Sequence, residues 1–282
     1  MSHDLSGRTV VVTGAARGMG RSIAESFAAA GAKVVLWGRH QATVDEAARE
    51  ISRGAVAVAC DMRDRTAIPR AVEETLALSD RIDVLVNNAG ISGKSAPFLD
   101  MCAAAWDEMI AVNLTGPTFA GQLVARHMVD RGGGGVILQN ASIAATGVDG
   151  PYSHYSASKA GLLAVMRSMA VELAPFGIRV NAVSPGYTRT EMTAQSLTTE
   201  QALSLSTSFA RVPLLRLIEP REVANAFVFL ASDAASGITG TNVVVDGGLT
   251  ANLYIMETLE SETARRVAGG GPHAPIGGDV AR

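Results

Sequence analysis

Tyr155 and Lys159 stand four residues apart in a stretch whose apolar spacing predicts a helix, so both side chains project from one face. A phenol with an ordinary pKa of about 10 is a poor acid or base at neutral pH, and a neighbouring ammonium is expected to lower that value. The bland alternative is a surface tyrosine packed on the lysine stem. Ser142 follows an apolar run in Asn140-Ala141-Ser142, where its hydroxyl can donate to a substrate oxygen or simply cap a helix. Asn113 sits in a helical stretch from Met109 to Thr118, where asparagine is a poor helix former; a role in a site is one reason to accept that cost.

A second group of residues has the chemistry to hold a nucleotide. Thr13 to Gly20 reads T-G-A-A-R-G-M-G, after a Val-rich run and before the helical pattern Ile23, Ala24, Phe27, Ala28. Gly14, Gly18 and Gly20 allow a sharp turn and a close approach of backbone to pyrophosphate at a helix N-terminus. A tight turn alone would also use glycines, and three residues rather than one separate the first two. At the end of the second run, where an acid would bind the ribose 2′-hydroxyl of NAD, the sequence gives Gly38-Arg39-His40, with Arg17 in the glycine loop. Two guanidiniums suit a 2′-phosphate, which favours NADP(H) over NAD(H), although both arginines are also ordinary surface residues.

Short Val- and Ile-rich runs must position these groups. Seven of them, Thr9 to Thr13, Lys33 to Trp37, Ala55 to Ala59, Val84 to Asn87, Val136 to Asn140, Arg179 to Ser184 and Asn242 to Asp246, alternate with helical stretches. That alternation predicts an α/β fold, a Rossmann-like doubly wound seven-stranded parallel sheet with helices on both faces. Its carboxyl edge is where ligands of such sheets bind. Residues 1–249 are expected to form one dinucleotide-binding and catalytic domain, with a substrate lid at 190–216 and a C-terminal extension at 250–282.

The 282 residues carry a net charge of −3 with scattered basic groups, which leaves no footprint for nucleic acid. No apolar run approaches a membrane span, and the polar start lacks the pattern of a secretory signal, so a cytoplasmic location is expected. Cys60 and Cys102 have no metal-like spacing; both read as small buried apolar residues, and no metal is expected.

Together these residues resemble the classical short-chain dehydrogenase/reductase family from Leu5 to Leu249. The matching motifs, in order, are the glycine loop, Asp61, Asn87-Asn88-Ala89-Gly90, Asn113, Ser142, Tyr155 with Lys159, Pro185-Gly186 with Thr188 and Thr190, and Asp246-Gly247-Gly248. The resemblance implies a catalytic tetrad of Asn113, Ser142, Tyr155 and Lys159 that reduces a carbonyl or oxidises a secondary alcohol. It implies cofactor contacts from Gly14, Arg17, Gly18, Met19, Gly20, Arg39, Asp61, Met62, Asn87, Asn88, Ala89, Gly90, Tyr155, Lys159, Pro185, Gly186, Thr188 and Thr190. Asn113 would position a water that relays protons to solvent, and Lys159 would hold the nicotinamide ribose. A homotetramer is implied as well.

Substrate contacts are expected from Ser142, Ala144, His154, Tyr155 and Met192, with a small-molecule carbonyl or alcohol as partner. For His154 the bland reading is a surface or interface histidine. Ile143, Ala144 and Val148 with the lid residues Met192, Leu197, Leu203, Leu205 and Phe209 suggest a mainly apolar pocket. The alternatives are a non-catalytic NAD(P)-sensing module, or an isomerase or dehydratase on the same fold.

Overall fold

The computed structural model describes residues 3–148, 150–196 and 212–251. Seven strands form one parallel sheet: β1 (Thr9–Thr13), β2 (Lys33–Gly38), β3 (Val56–Ala59), β4 (Val84–Asn87), β5 (Gly135–Asn140), β6 (Ile178–Pro185) and β7 (Asn242–Val245), in the order β3-β2-β1-β4-β5-β6-β7. The expected strands are all present, with ends differing by a residue or so. The order reverses at β1, so the loops after β1 and β4 diverge and leave a crevice at the carboxyl edge.

The helices are α1 (Gly18–Ala29), α2 (Gln41–Ile51), α3 (Ala67–Ser79), α4 (Ala103–Ile110), α5 (Gly116–Arg131), α6 (Ser153–Leu173), α7 (Glu191–Ser196) and α8 (Pro220–Ala231). Alternate strand residues feed two cores. Val10, Val12, Val86 and Leu138 pack with Phe27 of α1 and Phe227 of α8 on one face. Val11, Leu85 and Ile137 pack with Ile68 of α3, Met128 of α5 and Met166 of α6 on the other. Apolar burial on both faces explains why the strands read as continuous Val/Ile runs.

The opposite edge is pinned electrostatically. The buried Asp83 carboxylate accepts from the Thr9 amide at 2.9 Å and is bridged by Arg131 at 3.2 Å and by Arg81.

Two expectations change. Cys60 is buried, but Cys102 is exposed because it precedes α4 rather than lying in a core-facing position. The Met109 to Thr118 stretch is not one α-helix: a π-helical turn, Ala111–Thr115, separates α4 from α5. Of the lid, Leu197, Leu203, Leu205 and Phe209 lie outside the described residues, as does the C-terminal extension from Asn252 on. Among the described residues no helix is long and apolar enough to cross a membrane.

Candidate active site

The glycine loop is shaped by contacts only glycine permits. Gly14 has φ +65° and a Cβ there would lie 2.8 Å from Ala89 Cα, while a Cβ on Gly20 would run into the Gly14 carbonyl and Asn88 Nδ2. Gly18 differs: its φ is +56°, yet a Cβ would meet only open space. The α1 N-terminus has no side-chain cap and no acidic residue in its first turn, so its free amides and positive dipole end face the crevice. Free backbone amides beside the open space that a Cβ on Gly18 would enter are what a dinucleotide pyrophosphate needs, and the residues fit that group.

Asn88 locks this loop to the sheet. Its Nδ2 donates to the carbonyls of Thr13 at 2.9 Å and Gly14 at 3.3 Å, and its own amide and that of Ala89 each donate to Thr13 Oγ1 at 2.9 Å. Asn87 turns the other way and donates to the Pro117 carbonyl at 3.1 Å. Both side chains are therefore engaged inside the protein, and Gly90 is the member of this motif that borders the catalytic groups, its Cβ direction leading to Asn113 Oδ1 and Lys159 Nζ.

At the ribose end Arg17 Nη1 lies 3.3 Å from Oε2 of Glu191, the first residue of α7, in an exposed ion pair. Arg39 stacks beside His40, its Nε donating to His40 Nε2 at 3.0 Å. Asp61 accepts from Arg63 Nη2 at 2.6 Å and from the Arg63 amide at 3.0 Å, and these bonds hold its carboxyl below the ordinary range. Met62 is buried, and its carbonyl packs where a Cβ on Gly116 would fall.

On α6, Tyr155 and Lys159 are one turn apart, with Lys159 Nζ 5.8 Å from the Tyr155 ring centre. Lys159 is buried and donates to the Asn140 carbonyl at 2.8 Å. Burial pushes its ammonium down to about 8. Ser142, just past β5, lies beside the Tyr155 phenol, and its Oγ accepts from the Ala144 amide at 3.1 Å. The phenol was expected to titrate low; instead desolvation raises it, and Ser142 only partly opposes that. Lys159, whose own ammonium is disfavoured by burial, does not offset it.

Asn113 is built into the π turn. Its Oδ1 accepts from the Ile91 amide at 2.9 Å, and its Nδ2 donates to the Ile91 carbonyl at 2.8 Å and to Ser158 Oγ at 3.2 Å. The side chain thus clamps the loop after β4 to α6. Four residues on, Pro117 has no N–H, so the Asn113 carbonyl lacks the donor an α-helix would supply. π turns are frequent at functional sites.

His154 is 2% exposed and packs against Gly93 and Met109, so the surface reading of it fails. Ala144 lies in the turn Ile143–Ala145 after Ser142, and Met192 is 43% exposed on α7. Gly186 cannot carry a side chain, since a Cβ would lie 2.7 Å from that of Asp246; its amide donates to Val245 next to Pro185. Thr188 Oγ1 donates back to the Gly186 carbonyl at 3.1 Å, and Thr190 Oγ1 accepts from the Thr193 amide at 3.3 Å at the start of α7. Three residues had no site role of their own in the sequence: Thr13, Ile91 and Asn140, whose partners lie 19 to 76 positions away in the chain. Among the described residues no cluster of His, Cys, Asp or Glu could hold a metal ion.

A doubly wound parallel sheet carrying a glycine loop and a Ser-Tyr-Lys group at one edge defines a dinucleotide-dependent oxidoreductase fold. The family profile described as enoyl-(acyl carrier protein) reductase matches residues 14–250. The chain is similar to L-rhamnose 1-dehydrogenase (NAD(P)(+)) of Azotobacter vinelandii, 41% identical over 87% of this chain and 98% of that one. It is similar to cis-4-hydroxycyclohexanecarboxylate dehydrogenase of Sinomonas cyclohexanicum, 40% identical over 89% and 100%. A solved structure from Beutenbergia cavernae, with NADP bound at low occupancy, superposes with TM-score 0.83 at 39% identity, covering 89% of this chain and 100% of that one. The chain belongs to the short-chain dehydrogenase/reductase family and is an NAD(P)-dependent oxidoreductase acting on CH–OH or C=O groups.

Proposed function

We propose that this chain is a ketone reductase and secondary alcohol dehydrogenase in which Tyr155 is the general acid and base. The observation that carries this reading is the convergence of Ser142, Tyr155 and Lys159 at the carboxyl edge of the sheet, with Lys159 Nζ 5.8 Å from the Tyr155 ring centre and held by the Asn140 carbonyl. In reduction both hydroxyls hold the carbonyl oxygen, and the phenol gives up its proton to that oxygen as negative charge develops there. When bound, the nicotinamide supplies or removes the hydride. The raised phenol pKa keeps Tyr155 protonated at neutral pH, the state a proton donor requires.

Lys159, charged below about 8, stabilises the phenolate left behind and is the group to hold the nucleotide ribose. The Asn113 carbonyl, freed by Pro117, is the acceptor for a relay water. Gly14, Gly18, Met19 and Gly20 would hold the pyrophosphate side, Asp61 and Met62 the adenine side, and Pro185, Gly186, Thr188 and Thr190 the nicotinamide side. Arg39 favours NADP(H) over NAD(H). Ala144, His154 and Met192 are the proposed substrate-side residues, and the substrate is a small or medium ketone or alcohol with an apolar body.

Residues 1–249 would act as one catalytic unit in a cytoplasmic homotetramer. Exposed Trp106 on α4 and Val171 on α6 and the exposed β7 residue Val244 are apolar positions suited to such contacts. The test is nicotinamide absorbance during incubation with a panel of sugars, cyclic hydroxy acids and plain cyclic ketones, with NADPH and NADH in parallel. Turnover with at least one class, lost in Tyr155→Phe, is the expected result. Nucleotide that neither binds nor turns over contradicts the reading.

A further inference from the structure

Val136, Leu138 and Asn140 share one face of β5, and the first two are buried in the core beneath α1 and α8. Asn140 ends this apolar stripe with an amide that is 8% exposed. Its orientation follows from its neighbour. Asn88 spends its Nδ2 on the carbonyls of Thr13 and Gly14, so it presents Oδ1 as an acceptor, and Asn140 must meet it with Nδ2, at 2.8 Å. The same Nδ2 lies 3.1 Å from the Met19 sulfur in the glycine loop. Asn140 Oδ1 is left buried, without a hydrogen-bond partner among the described residues.

The Asn140 backbone carbonyl accepts from Lys159 Nζ at 2.8 Å. One residue thus touches both halves of the site: the ammonium through its main chain, the nucleotide loop through its side chain. An apolar side chain would serve the core better here, since the amide strands an acceptor.

We propose that Asn140 is a positioning residue that ties Lys159 to the glycine loop through Asn88, fixing the loop in the shape that grips the nucleotide. The proposal rests on the reading of that loop as the nucleotide site. Leucine of similar size keeps the carbonyl for Lys159 and removes only the amide bridge. It deletes one orphan acceptor and creates another on Asn88, so folding stability stays close to wild type.

The experiment measures NADPH affinity by calorimetric titration, steady-state constants and thermal melting for wild type, Asn140→Leu, Asn88→Ala and the double variant. Asn140→Leu is expected to weaken NADPH binding about tenfold and to raise the nucleotide KM in proportion, with kcat held within about threefold and the melting temperature unchanged. In the double variant the loss should not exceed that of Asn88→Ala alone, because both changes break one bridge. If Asn88→Ala does not fold, the KM-against-kcat split of Asn140→Leu decides alone. A falling kcat with unchanged nucleotide KM and affinity, or additive losses in the double variant, would overturn the proposal. Wild type that fails to bind NADPH would instead sink the nucleotide reading on which it stands.

Discussion

Lys159→Met should make the protein more stable while abolishing its activity. The lysine is 5% exposed, with its ammonium on a single backbone carbonyl and its pKa driven from 10.5 to about 8 by desolvation. At 1.36 kcal/mol per pKa unit, that drop represents about 3 kcal/mol of unfavourable charge burial at pH 7, where folded and unfolded chains both carry the proton. Methionine follows the same path with its unbranched stem and leaves the Asn140 carbonyl without a donor, a cost of about 1 kcal/mol. The net gain is about 2 kcal/mol, or a melting temperature higher by roughly 5 °C in a protein of this size.

The pH dependence gives the stronger check. Between pH 8 and 10.5 the folded lysine is neutral while the unfolded one still binds a proton, so wild-type stability rises with pH through this window. The variant has no such group, and its advantage should shrink from about 2 kcal/mol at pH 7 to about zero near pH 9.5. Urea denaturation of both proteins at the two pH values measures this directly. A variant less stable than wild type at pH 7, or a difference independent of pH, would refute the reasoning.

Two glycines of the loop, one crowded and one open, should separate structure from binding. Gly20→Ala pushes a methyl into backbone and should cost about 1–3 kcal/mol in a denaturation assay. Gly18→Ala meets open space, so only its left-handed backbone, worth about 1 kcal/mol, registers in stability, while nucleotide affinity falls by far more. Arg39→Ala should weaken NADPH binding roughly tenfold and leave NADH within about threefold; Arg17→Ala, whose partner is Glu191, should affect both nucleotides alike. Pro117→Ala restores the N–H that the Asn113 carbonyl lacks, and is expected to lower kcat about tenfold without lowering the melting temperature.

The central strands were legible because burial on both faces writes them as Val/Ile-rich runs, and Tyr155, Lys159 and Ser142 because their types and positions at strand or helix ends are chemically unusual. What composition and spacing do not carry is direction. Nothing in the string Asn87-Asn88 tells that one amide turns to Pro117 and the other to Thr13, nor that Arg17 reaches Glu191 on α7. The Tyr155 pKa ran opposite to expectation because a sequence shows the nearby lysine but not the burial of both groups. The π turn was visible only as a cost, an asparagine in a helix.

The central claim is that hydride moves between nicotinamide and a carbonyl carbon while Tyr155 handles the proton. Reduction with nicotinamide carrying deuterium at the transferred position, followed by mass spectrometry of the alcohol, tests it most directly. One non-exchangeable deuterium on the carbinol carbon in wild type, with a rate at least about 100-fold lower in Tyr155→Phe, is the expected result. Nucleotide consumed without deuterium in the product, or a Tyr155→Phe rate near that of wild type, would contradict it.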